Sequence, residues 1–202
     1  MKEQSIKSKR NQRIEEKKIQ IIKKVVELFY KEGYKQTSMR KICKVTGMTM
    51  GGLYNYIGSK ENLLFMVYDY LMKNIYDTLN NPQQLEWNNK ERLRLALKFY
   101  FVQTLKVRKE SLLTLREMWL IKKPKREAML NRHRGYISRL KTMLDKGVES
   151  GFLHIKDTQL TASFISYCFS MPVQRPWSLR QYTGREEEMI DDLVDIVMKV
   201  LI

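Results

Sequence analysis

Between Gly33 and Gly58 the chain has room for only two short helices, and no other feature limits its fold so tightly. Thr37 and Ser38 offer an N-cap ahead of Met39, Ile42, Val45 and Met48, and Gly47 stops the run. Thr49 offers a second cap before Leu53, Tyr54 and Tyr56, and Gly58 breaks again. Helices of about seven residues are not stable alone in water. They need a neighbour to cover Ile42, Val45, Met48, Leu53 and Tyr56. The segment from Arg13 to Lys31 supplies one. Its apolar positions Ile14, Ile21, Ile22, Val25, Leu28 and Phe29 recur at three and four, which predicts a helix ended by Gly33. A three-helix cluster with a tight turn at Gly47 is the helix-turn-helix arrangement, whose second short helix, from Met50 to Tyr56, enters a major groove.

The residues of that helix suit a reader of bases. Thr49, Met50, Gly51 and Asn55 lie toward its start and are the base-contact candidates. Asn can donate to and accept from adenine, and Thr offers a hydroxyl or a methyl group. Gly51 and Gly52 each cost about 1 kcal/mol relative to Ala inside a helix. Close approach of the backbone to DNA is one reason for them; close packing, or a frayed helix, is the other. Thr37, Ser38, Tyr54 and Lys60 are the phosphate candidates, Lys60 because it sits at a helix start where amides favour an anion. Outside this pattern Lys60 reads as a surface lysine.

Charge points to the same partner. The 202 residues carry 38 Lys and Arg against 22 Asp and Glu, a formal net charge of +16. The first 60 residues hold 15 against 5, and six of the acids cluster between Glu186 and Asp195. Such an excess favours a polyanion. Residues 1–12, with Lys2, Lys7, Lys9 and Arg10, read as a flexible basic arm that adds phosphate or minor-groove contacts. With 43% hydrophobic residues, 9 Gly and 4 Pro, the rest is globular with little irregular coil. No apolar stretch follows the charged start, and the weakly polar run Leu160–Val173 is short for a membrane span. Cys43 and Cys168 form no metal spacing and read as buried free thiols. A reduced cytoplasmic protein is expected, with no metal, no cofactor and no membrane partner.

Beyond Gly58, Ser59 caps a long helix from Glu61 carrying Leu64, Phe65, Val67, Tyr68, Leu71, Met72, Tyr76 and Leu79, closed by Asn80, Asn81 and Pro82. Further helices are predicted near 88–107, 110–121, 124–150, 157–171 and 185–201, with a loop over 172–184 enforced by Pro172 and Pro176. The fold class is all-α, with about nine helices. The expected organisation is an arm (1–12), a helix-turn-helix domain (13–58) and a helical bundle (59–202).

The string IIKKVVELFYKEGYKQTSMRKICKVTGMTMGGLYNYIGSKENLL, Ile21 to Leu64, resembles the DNA-binding domain of the TetR family of transcriptional regulators. Phe29, Gly33, Thr37, Ile42, Gly47, Leu53, Tyr54, Ser59, Lys60, Leu63 and Leu64 fall where that motif expects them. Lys24, Val25, Cys43 and Ile57 depart from it by exchanging one packing solution for another. The resemblance implies a homodimer on a near-palindromic operator of double-stranded DNA, and a C-terminal domain that binds an inducer and forms the dimer. Its recognition helices would stand roughly 34–36 Å apart, one turn of DNA. Ligand would shift the helix from Glu61 to Leu79 and spoil that spacing.

In the C-terminal bundle, methionine and aromatic residues make a ligand cavity plausible, against the plainer reading of core packing. The expected pocket residues are Phe65, Tyr68, Met72, Phe99, Phe101, Met118, Trp119, Met129, His133, Tyr136, Phe164, Tyr167 and Trp177. Arg132, Arg134 and Arg139, beside Lys122, Lys123, Lys125 and Arg126, are a solvated face or a receiver for an anionic ligand. Gly151, Phe152, Asp157, Trp177, Tyr182 and Glu187 resemble the C-terminal part of the family's acyl-CoA-responsive subgroup, which implies an acyl-CoA effector. Ile165 and Phe169, with Ile190, Leu193, Val194, Val197 and Leu201, form two apolar stripes expected to make the dimer. The expected role is a ligand-responsive regulator, most simply a repressor. Other readings are an activator, a regulator of efflux responding to another hydrophobic ligand, or an enzyme on a CoA substrate. The last lacks any pairing of nucleophile, base and orienting group in the sequence.

Overall fold

A computed structural model describes residues 2–79 and 89–202, with side chains from Lys9 to Ile75 and from Asn89 onward. The side chains of Tyr76 and Leu79, and the expected closure at Asn80, Asn81 and Pro82, lie outside the described residues. The described chain is all-α, as expected. In order, the helices are α1 (Lys2–Glu32), α2 (Met39–Thr46), α3 (Met50–Ile57), α4 (Lys60–Leu79), α5 (Lys90–Lys106), α6 (Arg108–Glu117), α7 (Lys123–Glu149), α8 (Thr158–Gln174) and α9 (Glu186–Leu201). Short 3-10 turns cover Met118–Leu120 and Pro176–Tyr182.

Two boundaries differ from expectation. Helix α1 reaches back to Lys2, so the expected arm is helical from there. Residues 2–12 lack an apolar stripe but are rich in Lys, Gln and Arg, which favour helix without burial. Helix α8 runs through Pro172, which was expected to start a loop. Proline there forfeits one ladder bond near the helix end, while Pro172 and Val173 are both buried.

The chain packs as two compact units: residues up to Leu71 together with 109–126, and residues 72–108 together with 127–202. The opening of α4 and the segment 109–126 therefore go with the helix-turn-helix head, whereas the expected division fell at 58/59.

In the first unit, α1 gives Ile21, Val25 and Phe29 to a core completed by Ile42 of α2, Leu53 and Ile57 of α3, and Leu63, Leu64 and Val67 of α4. Ser38 caps α2, its hydroxyl accepting from the Lys41 amide at 3.3 Å. Thr49 caps α3 in the same way, accepting from Gly52 at 3.2 Å. Gly47 ends α2 in the left-handed region at φ 71°, where a side chain would be strained. Of the five residues expected to be covered, Ile42 and Leu53 are buried and Met48 and Tyr56 half-buried, but Val45 is exposed. Ile57 and Thr46 fill those places instead, with the Thr46 hydroxyl donating to the Ile42 carbonyl at 2.8 Å. Cys43 and Cys168 are half-buried rather than fully enclosed.

In the second unit, α5 packs against α8 and α9. Leu93, Leu97 and Phe101 of α5 meet a core containing Ile165, Phe169, Ile190, Leu193, Val194, Val197 and Leu201. The two stripes expected at the dimer interface are thus spent on the chain's own core. The apolar residues left outside are Leu160, Phe164 and Tyr167 on α8, and Ile196 and Val200 on α9. The acids of α9 are answered by α5: Lys98 lies 2.8 Å from Asp191 and Arg94 pairs with Asp195.

Leu53 has no exposed surface. Leu53→Ala is expected to destabilise the head by about 2–5 kcal/mol. The loss should appear as an earlier urea midpoint in far-UV circular dichroism, and an unchanged midpoint would contradict this placement of α3.

Candidate nucleic-acid interface and effector core

With Leu53 and Ile57 turned inward, α3 presents its other face to solvent. Thr49, Met50, Gly51, Tyr54 and Asn55 are all exposed on it. This gathers the four expected base-contact residues on one small surface. The Cys43 thiol approaches the Met50 thioether at 3.8 Å, which ties the start of α3 to α2. A Cβ added at Gly51 would meet no atom of the protein within 4 Å, so internal packing does not require that glycine. Gly52 differs: a Cβ there would lie 3.1 Å from the capping hydroxyl of Thr49.

The four phosphate candidates fare differently. Ser38 and Tyr54 are exposed. Lys60, in the first turn of α4, is half-buried: its ammonium donates to the Lys35 carbonyl at 3.4 Å and lies 4.3 Å from the centre of the Tyr34 ring. Burial lowers its pKa, opposed by the charge of Glu117. A phosphate at Lys60 would therefore compete with partners already present. Thr37 is withdrawn. It is buried, and its hydroxyl donates to the Gly33 carbonyl at 2.7 Å, closing the turn after α1.

The segment 109–126 is fastened to this head by polar contacts. Lys109 pairs with Glu27 at 2.5 Å. The Lys122 amide, just before α7, donates to the Glu61 carboxylate at 3.0 Å, and the Lys125 ammonium donates to the Asn62 side chain at 2.9 Å. Helix α7 begins at this joint and continues unbroken to Glu149.

The thirteen expected pocket residues do not form one set. Phe65, Tyr68, Met118 and Trp119 belong to the first unit and the other nine to the second. Trp119, His133, Phe164, Tyr167 and Trp177 are exposed, so they do not enclose a cavity within one chain. Trp119 instead stacks under the Arg126 guanidinium at 5.5 Å. Tyr68, Met72, Phe101, Met129 and Tyr136 are buried, and Phe65 and Phe99 half-buried.

Within the second unit, Phe101 meets Phe169 edge-on at 4.9 Å, and Tyr100 lies 5.4 Å from Phe169. Tyr136 bonds with Ser166, and burial raises the phenol pKa of both Tyr100 and Tyr136. Tyr136 and Ser166 thus place a polar pair inside an aromatic core. Reading by residue type favours Met and aromatic side chains and passes over Ser166. Its signal is a small polar residue on the buried stripe of α8. Arg132, Arg134 and Arg139 are exposed along α7. Among the described residues, no group of three or more His, Cys, Asp or Glu could hold a metal ion, and no helix is long and apolar enough to cross a membrane.

A capped two-turn helix displayed on a three-helix head, followed by a helical bundle, defines a DNA-binding regulator of the helix-turn-helix class. Residues 21–67 match the family of bacterial regulatory proteins described as the tetR family, and residues 86–172 match a tetracyclin repressor-like C-terminal domain. The chain belongs to the TetR family of transcriptional regulators.

Its relatives include the HTH-type transcriptional regulator HbdR of Aromatoleum sp. (strain CIB), 33% identical over 36% of this chain and 31% of that protein. The chain thus spans about a third of that relative. The fatty acid metabolism regulator protein of Bacillus subtilis (strain 168) is 26% identical over 67% of this chain and 70% of that protein. Among solved structures, AibR in complex with isovaleryl coenzyme A and operator DNA has a similar fold, with TM-score 0.69 and 23% identity over 90% of this chain and 98% of that one.

Because Gly51 meets nothing inside the protein, Gly51→Ala separates its two readings. The substitution is expected to stabilise the head by up to about 1 kcal/mol through helix propensity, while weakening binding to the preferred duplex. Thermal melting and fluorescence anisotropy measure the two effects. Unchanged affinity would remove Gly51 from the interface.

Proposed function

We propose that this protein is a homodimeric, ligand-responsive repressor that binds a near-palindromic operator and is released by a CoA thioester. The observation that carries the proposal is the outward face of α3, where Thr49, Met50, Gly51, Tyr54 and Asn55 stand clear on the most basic part of the chain. A major groove admits such a helix, and the adjoining positive charge supplies affinity that does not depend on sequence.

The pairing face differs from the one read in the sequence. Leu160, Phe164 and Tyr167 recur at four and three along the outside of α8, and Ile196 and Val200 at four on α9. Covering these apolar residues with a second copy would remove them from water and set two α3 helices on one duplex. The effector class rests on the family and on its relatives, since one regulates fatty acid metabolism and another was solved with isovaleryl coenzyme A. The aromatic core around Tyr100, Tyr136 and Ser166 suits an apolar chain with one polar group, and the arginines of α7 suit the phosphates of CoA. The signal would pass along α7 to its joint with Glu61 and Asn62, then through α4 to the reading head.

Selection of bound genomic fragments, repeated with acyl-CoAs of increasing chain length, tests the whole reading. A symmetric site lost on addition of one thioester class is the expected result. Loss of the site with no thioester, while an unrelated hydrophobic compound releases it, would replace the effector. For the dimer, Leu160→Asp with Phe164→Asp is expected to give a folded monomer in sedimentation that no longer holds the operator. A dimer surviving both charges would refute this face.

A further inference from the structure

In the first unit a cleft of about 450 Å³ is lined by Lys9, Arg10, Arg13 and Ile14 of α1 and by Tyr56 near the end of α3. We propose that this cleft grips a backbone phosphate of duplex DNA, making the front of α1 a second point of attachment beside the base-reading end of α3. The inference rests on the operator reading above, because the duplex supplies the phosphate.

The helical periodicity of α1 brings the three cations together. Lys9 and Arg13 are separated by four positions, and Arg10 and Arg13 by three, so all share one face. Among the described residues none of the three has an acidic partner, and Glu15 is already engaged by Lys18 at 2.8 Å. All three are exposed, whereas Ile14 and Tyr56 are half-buried. Ile14 gives the cleft an apolar floor along which arginine stems can lie while their charged heads stay in water. Tyr56 contributes a phenol with no hydrogen-bond partner among the described residues, and so a donor for a phosphate oxygen. Two guanidinium forks, an ammonium and a phenol match a phosphodiester and not an uncharged effector.

The location also makes the cleft distinct from base readout. Thr49 to Gly51 open α3 and Tyr56 lies near its other end, about 8–10 Å further along at 1.5 Å per residue. A phosphate at Tyr56 therefore lies outside the bases that Thr49, Met50 and Gly51 address. It adds affinity and fixes the angle of α3 without reading sequence. The helical state of residues 9–13 matters here, because a flexible arm would not hold three cations against Tyr56.

The test compares Arg10→Gln/Arg13→Gln with the wild type on the duplex that the wild type selects, over a range of salt. Glutamine keeps helix propensity, and far-UV circular dichroism checks that α1 persists. As a charge-matched control, Lys23→Gln/Lys24→Gln removes two exposed cations of α1 outside the cleft. The expected result is a salt slope lowered by about 0.9 per phosphate contact, with roughly tenfold weaker binding per contact near 0.1 M salt. Preference among duplex sequences should be unchanged, and the control should shift little. Tyr56→Phe should move affinity in the same direction by less. Equal losses in the cleft variant and the control would reduce the effect to bulk charge and overturn the proposal. So would a cleft variant with the wild-type slope, or one whose only defect is binding of inorganic phosphate. If the wild type itself selects no duplex, the operator reading fails first, which is a separable outcome.

Discussion

The interface exists because two helices of eight residues are held down by complete burial of Ile42, Leu53 and Ile57. Burying a side chain of this size contributes about 1.5–3 kcal/mol, and an N-cap such as Ser38 or Thr49 contributes about 1 kcal/mol. Burial is therefore the larger effect, and the caps decide where each helix begins. Once the inner face of α3 is fixed, the outward direction of Thr49, Met50, Gly51, Tyr54 and Asn55 follows without further interaction. Helix α1 carries much of this work, since Ile21, Val25 and Phe29 are the surface against which the short pair forms.

Charge is distributed so that the excess remains near that face. The acids of α9 are matched by Arg94 and Lys98 of α5, within their own unit. In the first 60 residues only 5 acids stand against 15 cations, and Glu27 and Glu32 are already engaged by Lys109 and Lys41. Exposed pairs of this kind add at most about 1 kcal/mol each. The excess of cations over acids leaves a positive field over the head, which raises the encounter rate with a polyanion.

The head was legible because its signals are local. Glycines, caps and a short apolar period set α2 and α3 almost to the residue, and the family motif lies over the same positions. What failed needed knowledge of the partner surface. On α9, periodicity finds the stripe of Ile190, Leu193, Val194, Val197 and Leu201 but does not say what covers it. The chain's own α5 packs on α9, so the wide stripe goes inward and Ile196 and Val200 remain outside. Thr37 misled for a similar reason, since its hydroxyl closes a backbone turn that residue type does not reveal. The front of α1 had no apolar period to read, and its helix follows from propensity instead.

The contacts between the start of α4 and residues 122–125 are polar, which suits the switch proposed above. Coupling between sites in regulatory proteins is typically about 1–3 kcal/mol. A hydrogen bond contributes about 0.5–1.5 kcal/mol net, more when one partner is charged. The contacts of Glu61 with the Lys122 amide and of Asn62 with Lys125 fall in that range. An effector that displaced the start of α7 could break them within the coupling energy it has to offer. Separating a buried apolar contact such as Leu63 or Leu64 would cost more, because emptying such a site costs about 2–5 kcal/mol. If the effector releases the duplex as proposed, reciprocal linkage requires that the duplex weaken the effector by the same factor. In the proposed switch, a joint of exposed and half-buried hydrogen bonds would let both ligands act on the same few contacts while the buried core of the head stays intact.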